Sequence, residues 1–327
     1  MHRLDHTSYS RPVIFFANGI GDAILSLPAL RAITQLLEGQ AFLVTQRDLY
    51  DLFFKELPLR GVLEVAMSRD SGIRQFNATN TAREVGSCDL FLAPVPWMSD
   101  SLAELIALLR PQHSVGFFPN YNTELRLDYG KHSSELAFDF ARLLRPRLSF
   151  ENFSQPPILP QRALKTADKI VATIPPEMRI LAVHNETLPA KQWDIQSLAT
   201  VLDVFLAEHT DFLAFVMTTN ENSFPSCQHA DRIVPVYGLP CAVALAVASQ
   251  VDLFLGVDSC MLHVADFYRI PSVGLFGPTN PIEFGFRLAP HWHVHVGEKM
   301  TDISAQGVLT SLHLMAAQSQ PRRRSHK

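Results

Sequence analysis

Short runs rich in β-branched and aromatic residues alternate with longer segments of helical period along almost the whole chain. That alternation predicts parallel sheets flanked by helices, because two parallel strands need a crossover between them and a helix usually supplies it. In the first half, strands are expected at 13–17, 41–45, 62–65, 89–93 and 114–116, and helices at 22–37, 99–109 and 133–144. Within 22–37, Ile24, Leu27, Leu30, Ile33 and Leu37 recur at spacings of three and four, on one helical face. In the second half, strands are expected at 180–183, 212–217, 252–255 and 272–275, and helices at 195–208, 241–249, 259–268 and 304–318.

Between the halves runs Ser154-Gln155-Pro156-Pro157-Ile158-Leu159-Pro160. Three prolines so close together cannot continue a helix or a central strand, so the segment reads as a linker. The 327 residues are enough for two domains with their own cores. The expected architecture is α/β: two Rossmann-like domains, residues 1–155 and 162–320, facing across a cleft. The basic end, 321–327, has the composition of a disordered tail.

Composition removes several classes. A formal net charge of −4 argues against a general polyanion-binding surface, so no nucleic-acid partner is expected. Cys88, Cys227, Cys241 and Cys260 are scattered, without a Cys-x-x-Cys pair. That spacing suits neither zinc nor a disulfide framework and fits a reducing cytoplasm. The apolar run at 13–17 is interrupted by Asn18 and Asp22 and has no cleavage site after it, and the run at 239–251 is too short to span a bilayer. A soluble cytoplasmic protein is expected, with at most peripheral contact with the inner membrane face through the basic tail.

In open parallel sheets the loops after the strands carry the ligand. The first such loop is Asn18-Gly19-Ile20-Gly21-Asp22. Gly19 and Gly21 let the backbone turn sharply and approach a ligand closely. Asp22 stands where a helix N-cap belongs, and also where a carboxylate could take a proton from an acceptor hydroxyl. The pattern lacks the third glycine and the later acidic residue of a dinucleotide fingerprint, so an NAD site has little support. After strand 180–183 comes His184-Asn185-Glu186-Thr187-Leu188-Pro189-Ala190-Lys191-Gln192-Trp193-Asp194. Lys191 opposes the positive end of a following helix unless the two share an anion, while Trp193 reads as packing.

The third loop is Gly256-Val257-Asp258-Ser259-Cys260-Met261-Leu262-His263. Ser259, expected in the first turn, and His263 lie four apart on one face. A hydroxyl, an imidazole and exposed N–H groups at a helix start can cradle a diphosphate. Asp258 would repel phosphate, and could instead cap the helix or bind sugar hydroxyls. His263 alone could equally be an internally satisfied histidine. Phe276-Gly277-Pro278-Thr279-Asn280-Pro281 is a rigid turn that could wall the same site or be only a loop. Arg126, Lys131 and His132 could reach an anionic acceptor or lie on a solvated loop.

The run Ile14 to Arg31, through Asn18-Gly19-Ile20-Gly21-Asp22, resembles the opening of the ADP-heptose:lipopolysaccharide heptosyltransferases, glycosyltransferase family 9. Asp252 to His263 and then Pro271 to Pro281 resemble that family's C-terminal signature, with Ala190-Lys191-Gln192-Trp193 and Asp302-Ile303-Ser304 in the matching order. The resemblance implies a GT-B fold, inversion at the anomeric carbon and no obligatory cofactor or metal. It also implies a nucleotide-sugar donor, by family default ADP-heptose, and a hydroxyl acceptor, by default lipopolysaccharide core. Asp22 matches the proposed general base. Lys191, Asp258, Ser259 and His263 match donor-binding positions, with Thr187, Cys260, Gly277 and Thr279 beside them. Glu221 lies in the loop that faces the nucleoside in such enzymes. Cys260 replaces the family's glycine, so a backbone amide near phosphate is expected to shift. Thr218-Thr219-Asn220-Glu221-Asn222 replaces a glycine-rich turn, leaving the base open. A sugar-nucleotide epimerase or hydrolase, or a non-catalytic nucleotide-sugar-binding protein, would share the same donor residues.

Overall fold

The computed structural model describes residues 4–70, 72–219, 224–225 and 227–322. The chain divides into two units, Met1–Ile158 and Leu159–Lys327.

The first unit contains β1 (Pro12–Phe16), β2 (Phe42–Gln46), β3 (Gly61–Val65), a small antiparallel hairpin of β4 (Ser68–Asp70) and β5 (Ile73–Gln75), then β6 (Leu90–Leu92), β7 (His113–Gly116) and β8 (Thr123–Glu124). Apart from the hairpin, these strands form one parallel sheet in the order β3-β2-β1-β6-β7-β8. Its helices are α1 (Ile20–Leu36), α2 (Ala78–Val85), α3 (Asp100–Leu109) and α4 (Ser133–Leu144). Every residue of β1 is buried, as a strand covered on both faces must be.

The second unit opens on α5 (Gln161–Val171) and continues through β9 (Arg179–His184), α6 (Ile195–Glu208), β10 (Phe212–Thr218), β11 (Ile233–Tyr237), α7 (Cys241–Ala248), β12 (Leu253–Val257), α8 (Cys260–Phe267), β13 (Ser272–Leu275), α9 (Pro281–Phe284), β14 (His291–Val294) and α10 (Ala305–Gln318). Its sheet is also parallel, in the order β11-β10-β9-β12-β13-β14. In each unit the strand order reverses beside the first strand, between β1 and β6 and between β9 and β12. Ligands bind doubly wound sheets at the carboxyl ends of the strands at such a reversal.

The two sheets repeat a detail as well as an order. Asp89-Leu90-Phe91-Leu92 and Asp252-Leu253-Phe254-Leu255 are the same four residues at the entry to β6 and β12. Asp89 accepts from the backbone N–H of Ser10 at 2.7 Å and of Arg11 at 2.9 Å, just before β1. Asp252 accepts from Ile180 N at 2.7 Å, near the start of β9. Each carboxylate therefore pins its central strand pair on the side away from the ligand loops. Asp252 also accepts from Arg322 N at 2.6 Å, and the Arg322 guanidinium donates to Ser249 O and Tyr268 O. Arg322, expected in the loose tail, is therefore anchored; residues 323–327 lie outside the described part.

The elements missed by periodicity carry a weak or an interrupted apolar signal. In α5 the buried stripe is Ala163, Ala167 and Val171, small side chains that periodicity barely registers. β11 contains Pro235, which its position at the sheet edge tolerates. β14, at the opposite edge, is His-Trp-His-Val.

Candidate functional site

In the second unit, the loops after β9, β12 and β13 carry the expected donor residues. Lys191 is not at the start of α6. It closes a single 3-10 turn, Pro189–Lys191, and Asp194 caps α6 by accepting from Ser197 N at 2.8 Å. With that helix end occupied, the Lys191 ammonium turns to the β12 loop and pairs with Asp258 Oδ2 at 2.7 Å. The pair spans the reversal between β9 and β12. The Asp258 carboxylate is nearly buried, and its other oxygen lies 3.8 Å from His263 Nε2. Thr187 Oγ1 donates to the Asp258 carbonyl at 3.3 Å. Among the described residues Asp258 therefore holds the lysine rather than capping the helix.

Ser259 is the N-cap of α8 rather than a residue of its first turn, yet its hydroxyl accepts no capping hydrogen bond. Among the described residues, Ser259 Oγ, His263 Nδ1 and Thr279 Oγ1 are buried polar atoms without a hydrogen-bond partner. Such atoms are rare in folded proteins because each forfeits its hydration. Three of them follow two adjacent strands, β12 and β13, at their carboxyl ends. Burial pushes the His263 imidazole down to about 4, with Asp258 opposing the shift and Lys191 adding to it. At neutral pH it is an uncharged ring able to donate one hydrogen bond.

Gly277 has a packing reason to be glycine. A Cβ there would come within 2.7 Å of Met300 N and 2.9 Å of Lys299 C, so the turn carrying Thr279 is pressed against that backbone. Cys260 opens α8 in a helical conformation and is not among the residues with positive φ, so replacing glycine there strains nothing. Its thiol is pushed up to about 12, chiefly by burial, and is no nucleophile at neutral pH. All four cysteines are free. Trp193 is buried and donates to Ile303 O at 3.2 Å, a packing role. Beside Thr187 opens a cavity of about 850 Å³ at the carboxyl ends of β9 and β10. Glu221 falls outside the described residues.

In the first unit, Gly19 is the N-cap of α1 and Asp22 is the helix's third residue, so the capping position expected of Asp22 belongs to Gly19. The Asp22 carboxylate reaches back to accept from Gly19 N at 3.2 Å. Gly21 is the helix's second residue. Asp22 borders a cavity of about 40 Å³ with Leu25, Pro94, Phe117 and Leu136. A second cavity, of about 170 Å³, adjoins Asn18 and Gly19 and is lined by Gln46, Arg69 and Arg74. Sequence reasoning missed these arginines because the β4–β5 hairpin that pairs them is too short to show a period. The Arg74 guanidinium donates to Ala17 O at 2.9 Å and lies over the Trp97 ring, whose Nε1 donates to the same carbonyl. Burial lowers its pKa and Asp22 opposes the shift. Lys131 and His132 are otherwise engaged. Lys131 pairs with Asp139 at 2.9 Å, and His132 caps α4 through Ser134.

Among the described residues no cluster of three or more His, Cys, Asp or Glu could hold a metal ion, and no helix is long and apolar enough to cross a membrane. The model of glycosyltransferase family 9 (heptosyltransferase) matches residues 113–306, more than half of the chain. The chain belongs to glycosyltransferase family 9. Its sequence is similar to lipooligosaccharide heptosyltransferase 2 of Campylobacter jejuni, 24% identical over 276 residues that cover 80% of this chain and 79% of that protein. Two solved structures are similar in fold. A family 9 glycosyl transferase from Veillonella parvula matches with a TM-score of 0.76 at 17% identity, over 97% of this chain and 99% of its own. The E. coli ADP-heptose LPS heptosyltransferase II matches at 0.68 and 15%, over 94% and 99%. The two six-stranded parallel units of this family 9 glycosyltransferase are those of the GT-B fold.

Proposed function

We propose that this family 9 glycosyltransferase transfers a heptose from ADP-heptose to a hydroxyl of a lipopolysaccharide-type core on the cytoplasmic side of the membrane, with inversion at the anomeric carbon. The observation that carries the donor half is the set of three buried, unpartnered polar atoms, Ser259 Oγ, His263 Nδ1 and Thr279 Oγ1. A diphosphate supplies acceptor oxygens for all three and a second anionic partner for Lys191, which now pairs with Asp258. A structure solved with ADP exists for a similar E. coli heptosyltransferase, 14% identical at a TM-score of 0.60, which supports the choice of ligand.

In this reading the acceptor hydroxyl attacks the anomeric carbon from the face opposite the diphosphate. Its proton passes to Asp22, and the bond to the departing diphosphate breaks. Negative charge then builds on the leaving group, where Lys191, the neutral His263 donor and the start of α8 meet it. Donors fixed in advance around developing charge are commonly the largest catalytic term. The arginine-lined cavity beside Gly19 suits an acceptor with an anionic group.

The deciding experiment measures ADP release from ADP-heptose with and without core acceptor, in wild type and Asp22→Asn. Acceptor-stimulated release supports a transferase. Release without acceptor indicates a hydrolase, and ADP binding without release a binding protein. Removing the base should lower turnover by roughly 10²–10⁴-fold. The amide oxygen still accepts from Gly19 N, so folding should change little. An Asp22→Asn enzyme with near wild-type turnover would end the general-base assignment.

A further inference from the structure

The loop that leads from β1 to Asp22 is held by a clamp drawn from three elements of the first unit. Only Ala17 and Asn18 separate the end of β1 from Gly19, the N-cap of α1. Both are buried, so the Ala17 carbonyl needs a partner inside the protein. It has two. Arg74 Nη1, on β5, donates to it at 2.9 Å, and Trp97 Nε1, on the loop after β6, donates at 3.2 Å. The donors also hold each other, with the guanidinium 5.3 Å from the centroid of the indole ring. Both rest on the strand that precedes the loop. Trp97 packs edge-on against Phe15 of β1 at 5.9 Å, and Phe76, just beyond β5, packs against the same phenyl ring at 5.1 Å.

Satisfying one carbonyl does not require both donors. The indole N–H is enough, and it is cheaper to desolvate than a cation. Arg74 is half-buried; burial and Arg69 both act against its charge, while Asp22 favours it. Geometry agrees that the carboxylate is near. Asp22 Oδ2 accepts from Gly19 N at 3.2 Å, and Gly19 and Arg74 line the same 170 Å³ cavity. A guanidinium here therefore does what Trp97 alone cannot. It ties the β4–β5 hairpin to the loop that carries Asp22 and keeps a fixed positive charge on that side of it. Arginine suits the place, because its planar fork can donate in its own plane while its face lies on the indole.

We infer that Arg74 is a positioning residue for Asp22, clamped with Trp97 on the Ala17 carbonyl so that the loop presents the carboxylate to the acceptor hydroxyl in one fixed place. The inference rests on the general-base reading above. A base works only within hydrogen-bond reach of the proton it takes, and a misplacement of about 1 Å can lower the rate by roughly 10²-fold with the carboxylate itself intact. Arg74 acts through the backbone of the loop and not on the acceptor, so its loss should appear in turnover and not in acceptor affinity. Nothing local in the sequence marks the residue. Ala17, Arg74 and Trp97 meet only because the hairpin and the loops after β1 and β6 converge.

The test is a double-mutant cycle on the full-length protein. ADP release from ADP-heptose is measured over a range of core-acceptor concentrations in wild type, Arg74→Gln, Arg74→Lys, Asp22→Asn and the double variant Arg74→Gln with Asp22→Asn. Arg74→Gln should lower kcat by roughly 10–10²-fold while the KM for acceptor stays near that of wild type. Arg74→Lys keeps a charged donor and should recover part of the loss. In the Asp22→Asn background, Arg74→Gln should lower kcat by less than about threefold, because without the base there is nothing left to position. Trp97 still donates to the Ala17 carbonyl in every variant, and melting curves check that each is folded; Arg74→Lys carries the test if Arg74→Gln is not. Equal losses in the two backgrounds overturn the inference, since Arg74 would then act independently of Asp22. A raised acceptor KM with unchanged kcat also overturns it and makes Arg74 a ligand of the acceptor. Near wild-type turnover in Asp22→Asn would instead overturn the general-base reading beneath it.

Discussion

Acid pH tests the burial of His263 directly. The imidazole is enclosed on α8, and its pKa is pushed down from 6.5 to about 4, chiefly by burial. In the unfolded chain it binds a proton as the pH falls through about 6.5. In the folded chain it stays neutral until about 4. The unfolded state takes up the proton first, so stability present above pH 6.5 is lost progressively as the pH falls toward 4. Between pH 7 and pH 5 this linkage amounts to about 2 kcal/mol. His263→Gln keeps a polar side chain that cannot titrate. Urea unfolding at both pH values should show wild type losing about 2 kcal/mol more than the variant. His293, also pushed down to about 4, titrates in both proteins and cancels from the difference. Equal losses would refute the reasoning, because they would mean that the folded protein lets His263 protonate as freely as the unfolded chain does.

Three further outcomes follow from the same contacts. Lys191→Ala should weaken ADP binding by roughly 1.5–3 kcal/mol, measured by calorimetry, and unchanged affinity in a folded variant would remove the lysine from the donor site. Gly277→Ala should lower stability by about 1–3 kcal/mol in urea titration, because its Cβ meets Met300 N at 2.7 Å; a neutral substitution would show that the turn shifts freely. Truncation after Gln320 removes Arg322 and its bonds to Asp252, Ser249 and Tyr268, and should lower the melting temperature of the protein. Vesicle sedimentation of the same truncation separates this structural role from membrane attraction by the basic end, which would be worth about 1 kcal/mol per basic residue.

The organisation into two parallel α/β sheets, and the order of their principal strands and helices, were legible in the amino-acid sequence. Long apolar periods and proline spacing are local signals, and they report local structure well. The ends of α4, α6 and β13 fell where periodicity put them, at Ser133–Leu144, Ile195–Glu208 and Ser272–Leu275. The edge strands β11 and β14 and the alanine-striped α5 did not declare themselves: Pro235 interrupts the first, histidines the second, and α5 buries only small side chains. The repeat of Asp-Leu-Phe-Leu at 89–92 and 252–255 was visible in principle, but its meaning was not. Only the sheets show both aspartates binding backbone N–H groups beside the neighbouring strand. The chemistry of the cluster around Asp258 likewise belongs to tertiary structure. Spacing gave Ser259 and His263 a common helical face, yet it could not say that Lys191 would be drawn to Asp258 across 67 positions of chain. Nor could it say that burial would keep His263 neutral, or that Asp194 would close the end of α6 and leave Lys191 to another partner. Those facts depend on which strands are neighbours and how much water remains between them, and a chain settles both only when it folds.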